Sequence, residues 1–224
     1  MSCTQCQGIE TTFNHRNAEK ELRKYHKKGP TETTHSLVEF LKKKGTKGKS
    51  LLDIGGGVGI IQHELLRSGL ASAVSVEASS AYSEVSKDEA RHQGHEERIE
   101  YHHGDFIDLA PDIPMTDIVT LDRVICCYPD MEKLVDSSLS HAKDYYAVVY
   151  PLDTWWMKIG LAFSNFIQRI RRNSFRSYVH SKKAFHRLVE AHNFKRVFFR
   201  KTTFWRVEIF ERVDDDGHSH ARTA

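Results

Sequence analysis

Leu51-Leu52-Asp53-Ile54-Gly55-Gly56-Gly57-Val58-Gly59 is the stretch on which the fold turns. An apolar run ends in an acid, a glycine loop follows, and a helical pattern, IIQHELL, begins at Ile60. Glycines allow a tight turn and a close ligand approach with no Cβ in the way. The start of the following helix adds free N–H groups and a favourable dipole. Downstream the chain keeps alternating strands and helices, the pattern of a parallel sheet covered on both faces. Strand candidates lie at 51–54, 73–77, 99–103, 117–121 and 145–150.

After Pro151 comes a long apolar helix, 154–171, then a shorter one at 182–191. Two β-rich runs, KRVFFR and TTFWRVEIFER, follow with few residues between them and read as a terminal hairpin. The expected architecture is α/β and Rossmann-like: seven strands, mostly parallel, closed by an antiparallel C-terminal hairpin. Residues 1–49 read as a helical lid and linker. Ala18, Leu22 and Tyr25 share a stripe there, Gly29-Pro30 stops the first helix, and a second spans 33–44. Residues 50–213 form the α/β domain, and the polar tail 214–224 frays.

Composition narrows the class. The chain has 224 residues, with 33 Lys or Arg against 30 Asp or Glu, a net charge of +3. This balance is too even for a duplex-binding protein. The N-terminus carries no apolar signal region, and no run reaches the roughly eighteen apolar residues of a spanning helix. Four cysteines in a chain this long make no disulfide scaffold. A cytoplasmic protein is the expectation, without stable membrane anchoring.

The loop spacing separates two cofactor classes. The dinucleotide fingerprint G-x-G-x-x-G/A, started at Gly55, meets Ile60 at its third position. The pattern D-x-G-x-G-x-G matches at Asp53, Gly55, Gly57 and Gly59. Here the chain resembles the class I S-adenosylmethionine-dependent methyltransferases. The resemblance implies that Asp53, Gly55, Gly56, Gly57 and Gly59 wrap the methionine part of S-adenosylmethionine. It implies that Glu77, with Ala78 beside it, accepts from the ribose hydroxyls. It further implies that Asp105 accepts from the adenine amino group, that Phe106 packs on the ring, and that Leu121 belongs to the cofactor site. The pattern CxxCxGIExxF, then YHKKGPTETT, looks like a set of short, largely uncharacterised methyltransferases. The stretch VICCYPD is similar to the corresponding loop of magnesium-protoporphyrin O-methyltransferases.

The acceptor is expected to be a small molecule, apolar or anionic, methylated on oxygen, nitrogen or a carboxylate. Asp122, Tyr128 and His180 are the candidates for a base; Tyr25, Asp122, Tyr128 and Trp156 are those for acceptor contact. The alternative is a catalytically silent protein that binds S-adenosylmethionine for assembly or regulation. Cys126 and Cys127 read as small buried residues. Cys3 and Cys6 alone lack the four ligands of a structural zinc site, so no metal is expected. The helix at 154–171 reads first as a core helix, then as a roof over an acceptor pocket, then as a membrane-surface helix.

Overall fold

The computed structural model describes residues 4–213; Cys3, the Cys6 side chain and the tail 214–224 lie outside the described residues. Three helices come first, α1 (Thr4–Thr12), α2 (His15–Lys28) and α3 (Glu32–Lys44). The Asn14 side chain accepts from the Asn17 N–H and starts α2; Gly29, at φ 73°, ends it. The alternating part follows as β1 (Ser50–Ile54), α4 (Ile60–Arg67), β2 (Ser72–Glu77), α5 (Ser80–Gln93), β3 (Ile99–His103) and α6 (Phe106–Leu109). It continues with β4 (Thr116–Asp122), α7 (Met131–Ser140), β5 (Ala142–Pro151), α8 (Trp155–Ile170), α9 (Lys182–Ala191), β6 (Phe194–Lys201) and β7 (Trp205–Arg212).

The seven strands form one sheet in the order β3-β2-β1-β4-β5-β7-β6. The first five are parallel, and β7 runs antiparallel to both β5 and β6. This is the expected Rossmann-like arrangement with its C-terminal hairpin. Strand order reverses at β1, which pairs with β2 on one side and β4 on the other. A crevice therefore opens at the carboxyl ends of β1 and β4, where ligands bind in sheets of this kind.

Alternation along β5 sends side chains to both faces. Tyr146 and Val148 join α7 and α9 through Leu134, Leu139, Phe185 and Val189. Ala147 and Val149 join α3 and α4 through Leu37, Leu41 and Leu65. Thus α3 is a covering helix of the sheet, while α2 lies against α5, with Ala18 packed near Tyr82 and Val85.

The core reading of α8 is overturned: none of its residues is buried. The sheet face that its apolar stripe would cover is already filled by α7 and α9. Trp155, Ile159, Phe163, Phe166 and Ile170 point into solvent.

Candidate functional site

The glycine loop forms because its backbone demands it. Gly55, Gly57 and Gly59 have φ of 63°, 60° and 82°, values that side-chain-bearing residues rarely adopt. Gly56 is needed for space: a Cβ there would lie 2.5 Å from Gln62 Nε2 and 2.7 Å from Asp53 Oδ2. Beneath the loop Asp53 is buried, accepting from the Thr120 hydroxyl at 2.6 Å and from Gln62 Nε2 at 3.1 Å. Burial raises its carboxyl to about 6, against the pull of those two donors.

Glu77, at the end of β2, holds the loop from the other side. Its Oε2 accepts from the Gly57 N–H at 3.0 Å and its Oε1 from the Ser79 N–H at 2.9 Å. Burial pushes this carboxyl up to about 7, the backbone donors opposing. Asp105 caps α6, accepting from the Ile107 N–H, and the Tyr128 hydroxyl lies 3.0 Å from each of its carboxylate oxygens.

A second group of polar residues comes from the N-terminal segment and the end of β4. Thr34 donates to Asp122, and Arg123 Nη2 reaches Thr31 and Thr33 at 2.8 Å each. The motif GPTETT thereby holds the Asp122-Arg123 pair. Arg123 has φ 64°, a strained conformation for an arginine, fixed by its N–H bond to the Val149 carbonyl. Asp122 Oδ1 and Arg123 Nε are buried without a hydrogen-bond partner, 3.7 Å apart. On α2, Glu21 accepts from the Tyr82 hydroxyl at 3.2 Å. Desolvation raises its carboxyl, and Asp122 adds to the rise, while Tyr82 and Arg123 oppose it. Burial raises the Asp122 carboxyl too, against Arg123 and Thr34.

These groups line one cavity of about 490 Å³ at the carboxyl ends of the strands. Of the residues read from sequence, it gathers Asp53, Gly55, Gly56, Gly57, Glu77, Ala78, Asp105, Phe106, Asp122 and Tyr128. Others lie elsewhere. Gly59 starts α4, where a Cβ would press on Ser86 and His63. Leu121 is in the sheet interior. Tyr25 is buried on the α4 side of α2, its hydroxyl bonded to Glu64 and Arg67 and away from the cavity. Trp156 meets Phe204 at the surface. His180 bonds the Tyr128 carbonyl at 2.9 Å; it supports the loop after β4 and does not line the cavity.

Glu21, Thr31 and Thr34 escape the sequence reading. Glu21 sits among charges on a polar helix, and nothing local marks it as facing a cavity. Cys127 lines the cavity, 3.8 Å Sγ to Sγ from buried Cys126. The Cys126 bond and burial hold its thiol well above the usual range, so it stays protonated. Among the described residues no cluster of three or more His, Cys, Asp or Glu side chains could hold a metal.

The cavity is acid-rich. Glu21, Asp53, Glu77, Asp105, Asp122 and Asp130 face two basic residues, Arg123 and Lys133. Such a lining favours a cationic or neutral ligand and repels a diphosphate.

Comparison with known proteins agrees with this geometry. A family model described as a methyltransferase domain matches residues 25–197. No curated protein matches the sequence. Among solved structures, magnesium protoporphyrin IX methyltransferase from Synechocystis PCC 6803 with bound SAH is similar with a TM-score of 0.72 at 15% identity. That match covers 92% of this chain and 98% of the other. Geranyl diphosphate C-methyltransferase from Streptomyces coelicolor A3(2) gives a TM-score of 0.62 at 14% identity, over 80% and 77% of the chains. An O-methyltransferase family 2 protein from Planctomyces limnophilus, in complex with apigenin, gives 0.58 at 16%, over 84% and 64%. At these identities the likeness is one of fold.

Proposed function

This chain belongs to the methyltransferase-domain family, and from that premise we propose that it transfers a methyl group from S-adenosylmethionine to a small, largely apolar acceptor. The observation that carries the reading is the acid-rich cavity built on the glycine loop. The residues present fit the cofactor. Gly55, Gly56 and Gly57 present bare backbone to the cavity, and Glu77 offers a carboxylate to paired hydroxyls. Asp105 and Phe106 suit an amino-bearing aromatic base, and the acid excess suits an ammonium and a sulfonium.

When bound, S-adenosylmethionine supplies an electrophilic methyl carbon on a positively charged sulfur. The chain's own contribution is mostly placement of the acceptor in a site that excludes water. Ile9, Phe13 and Ile60 line the cavity beside Glu21 and Asp122 and favour an apolar body over an anionic one. An oxygen or nitrogen acceptor must also lose a proton. Glu21 is the proposed base: it reaches the cavity, is oriented by Tyr82, and has its carboxyl raised by burial. Asp122 sits beside it as the alternative proton acceptor, tied to Thr34. Tyr128 is committed to Asp105 and supports the base-binding part of the cavity.

Titration calorimetry with S-adenosylmethionine, S-adenosylhomocysteine and NAD, followed by an acceptor screen that reads S-adenosylhomocysteine release, tests this. Binding of the first two and release with an apolar acceptor are expected, with release much reduced in Glu21→Gln while cofactor binding holds. Tight binding with no release for any acceptor class would leave the silent binding protein as the correct reading. NAD binding alone would overturn the cofactor.

The affinity should also depend on pH. Glu77 has a folded-state value raised to about 7, so its ionised form, the one able to accept from two hydroxyls, fills in as pH rises through 7. S-adenosylhomocysteine binding is expected to be about tenfold weaker at pH 6 than at pH 8. A flat profile in the wild type, or an unchanged slope in Glu77→Gln, would refute that role.

A further inference from the structure

The exposed face of α8 has a definite chemistry. Trp155, Ile159, Phe163, Phe166 and Ile170 recur at three- and four-residue spacing and form one stripe. Their exposures run from 58% to 74%, high values for large apolar side chains, and no described residue covers them. Phe204, in the β6–β7 turn, extends the patch beside Trp156. On the opposite side Met157, Leu161, Asn165 and Gln168 are half-buried, and the Asn165 side chain bonds the Ser177 backbone. A contiguous apolar patch of this kind marks an interaction site.

Charge selects the partner. From Thr154 to Val189 the sequence has eight Lys or Arg residues and no Asp or Glu, although the whole chain is only +3. Four of these cations, Lys158, Arg169, Arg171 and Arg172, lie on α8 or directly after it, and the other four follow in the strap and α9. Arg169 lies along one edge of the stripe and Arg171 and Arg172 follow its end, while Lys158, on the same edge, pairs with Asp153 at 2.8 Å. A second copy docking face to face would set these cations against one another, which is unfavourable. The helix stands out from the surface with no buried residue, so it offers no groove for a peptide or a partner helix. Aromatic and aliphatic side chains bordered by cations match the boundary between headgroups and acyl chains.

We propose that the outward face of α8 docks this protein reversibly on an anionic lipid surface. No described helix is long and apolar enough to cross a membrane, so the contact lies in the surface plane. Docking would sit next to the cavity. The Asn165 side chain bonds the Ser177 backbone on both its N–H and C=O, and the Tyr178 N–H bonds the Cys126 carbonyl in the loop after β4. Phe175 packs on Phe13, a cavity-lining residue, at 5.5 Å between rings. The strap after α8 thus joins the docking face to the cavity edge. This inference does not rest on the methyl-transfer reading.

The test is co-sedimentation of the full chain with phosphatidylcholine vesicles, with and without phosphatidylglycerol, and light scattering of the free protein. Binding only to the anionic vesicles is expected, weakened by salt, with a blue shift of tryptophan emission. Phe163→Asp with Phe166→Asp should abolish it, with circular dichroism and Tm unchanged because both side chains are exposed. Arg171→Gln with Arg172→Gln should weaken it about tenfold or more. Absence of binding, equal binding to neutral vesicles, or equal binding by the Phe163/Phe166 variant would overturn the proposal. So would a wild-type dimer that this variant converts to monomer.

Discussion

Glu77→Ala is expected to weaken binding of S-adenosylmethionine and S-adenosylhomocysteine by at least about 100-fold, since two hydrogen bonds to a charged group contribute roughly 1.5–3 kcal/mol each. The carboxylate is buried, and it also ties the Gly57 and Ser79 N–H groups, so its loss releases the loop that would wrap the ligand. The ligand-free protein should lose little stability at pH 8. Burial raises Glu77 to about 7 in the folded state, so its contribution to stability is fully present below the ordinary value of 4.5 and is lost as pH rises through 7. Removing the side chain then relieves a buried charge while forfeiting two backbone bonds. Titration calorimetry beside thermal unfolding separates the two effects. Undiminished affinity would remove Glu77 from the cofactor site. A large fall in Tm with no ligand present would make its role structural.

The second large effect is on folding. Glu208 on β7 is fully buried, with Tyr150, His186, Arg196 and Arg206 around its carboxylate. Truncating it forfeits the bonds from Tyr150, His186, Arg196 and Arg206 to a charged acceptor, while Arg196, 42% exposed, can turn to solvent, so the cost is about 3 kcal/mol. Glu208→Ala should therefore lower Tm by about 10 °C in a chain of this size. Burial by itself would raise the Glu208 carboxyl, but the bonds from Tyr150, Arg196 and His186 outweigh it and hold it below 4.5. Its stabilising contribution is present above the ordinary value of 4.5 and is lost as pH falls through the depressed folded value. Wild-type stability should accordingly drop below pH 4.5, and the drop should be shallower in Glu208→Ala. Equal Tm values for the two proteins at pH 7 would show that the network contributes nothing net.

Both residues stand on the sheet, yet they differ in how visible they are along the chain. Glu77 ends an apolar strand next to the glycine loop in the expected order, so a linear reading finds it. Glu208 lies in TTFWRVEIFER, a run whose alternation predicts a strand but not the cations and the Tyr150 hydroxyl that meet its carboxylate.

What the sequence determined by itself is therefore whatever depends on neighbours in the chain. The periods of two and of three to four residues set the strands and helices, and the glycines set the positive φ values of the loop. The acids at strand ends follow, because the carboxyl ends of parallel strands gather on one edge of the sheet. Tertiary structure decided the rest. Thr34 bonds Asp122 across 88 residues, and Glu21 faces the cavity only because α2 is laid over α5. Tyr25, Leu121, Trp156 and His180 carry suitable chemistry, but packing turns each away from the cavity. The face of α8 is the clearest case. Its amphipathic period is local and legible, but whether that face meets a core or solvent depends on which helices reach the sheet first. Here α7 and α9 occupy it, so the same stripe that reads as core in sequence is a surface in the folded protein.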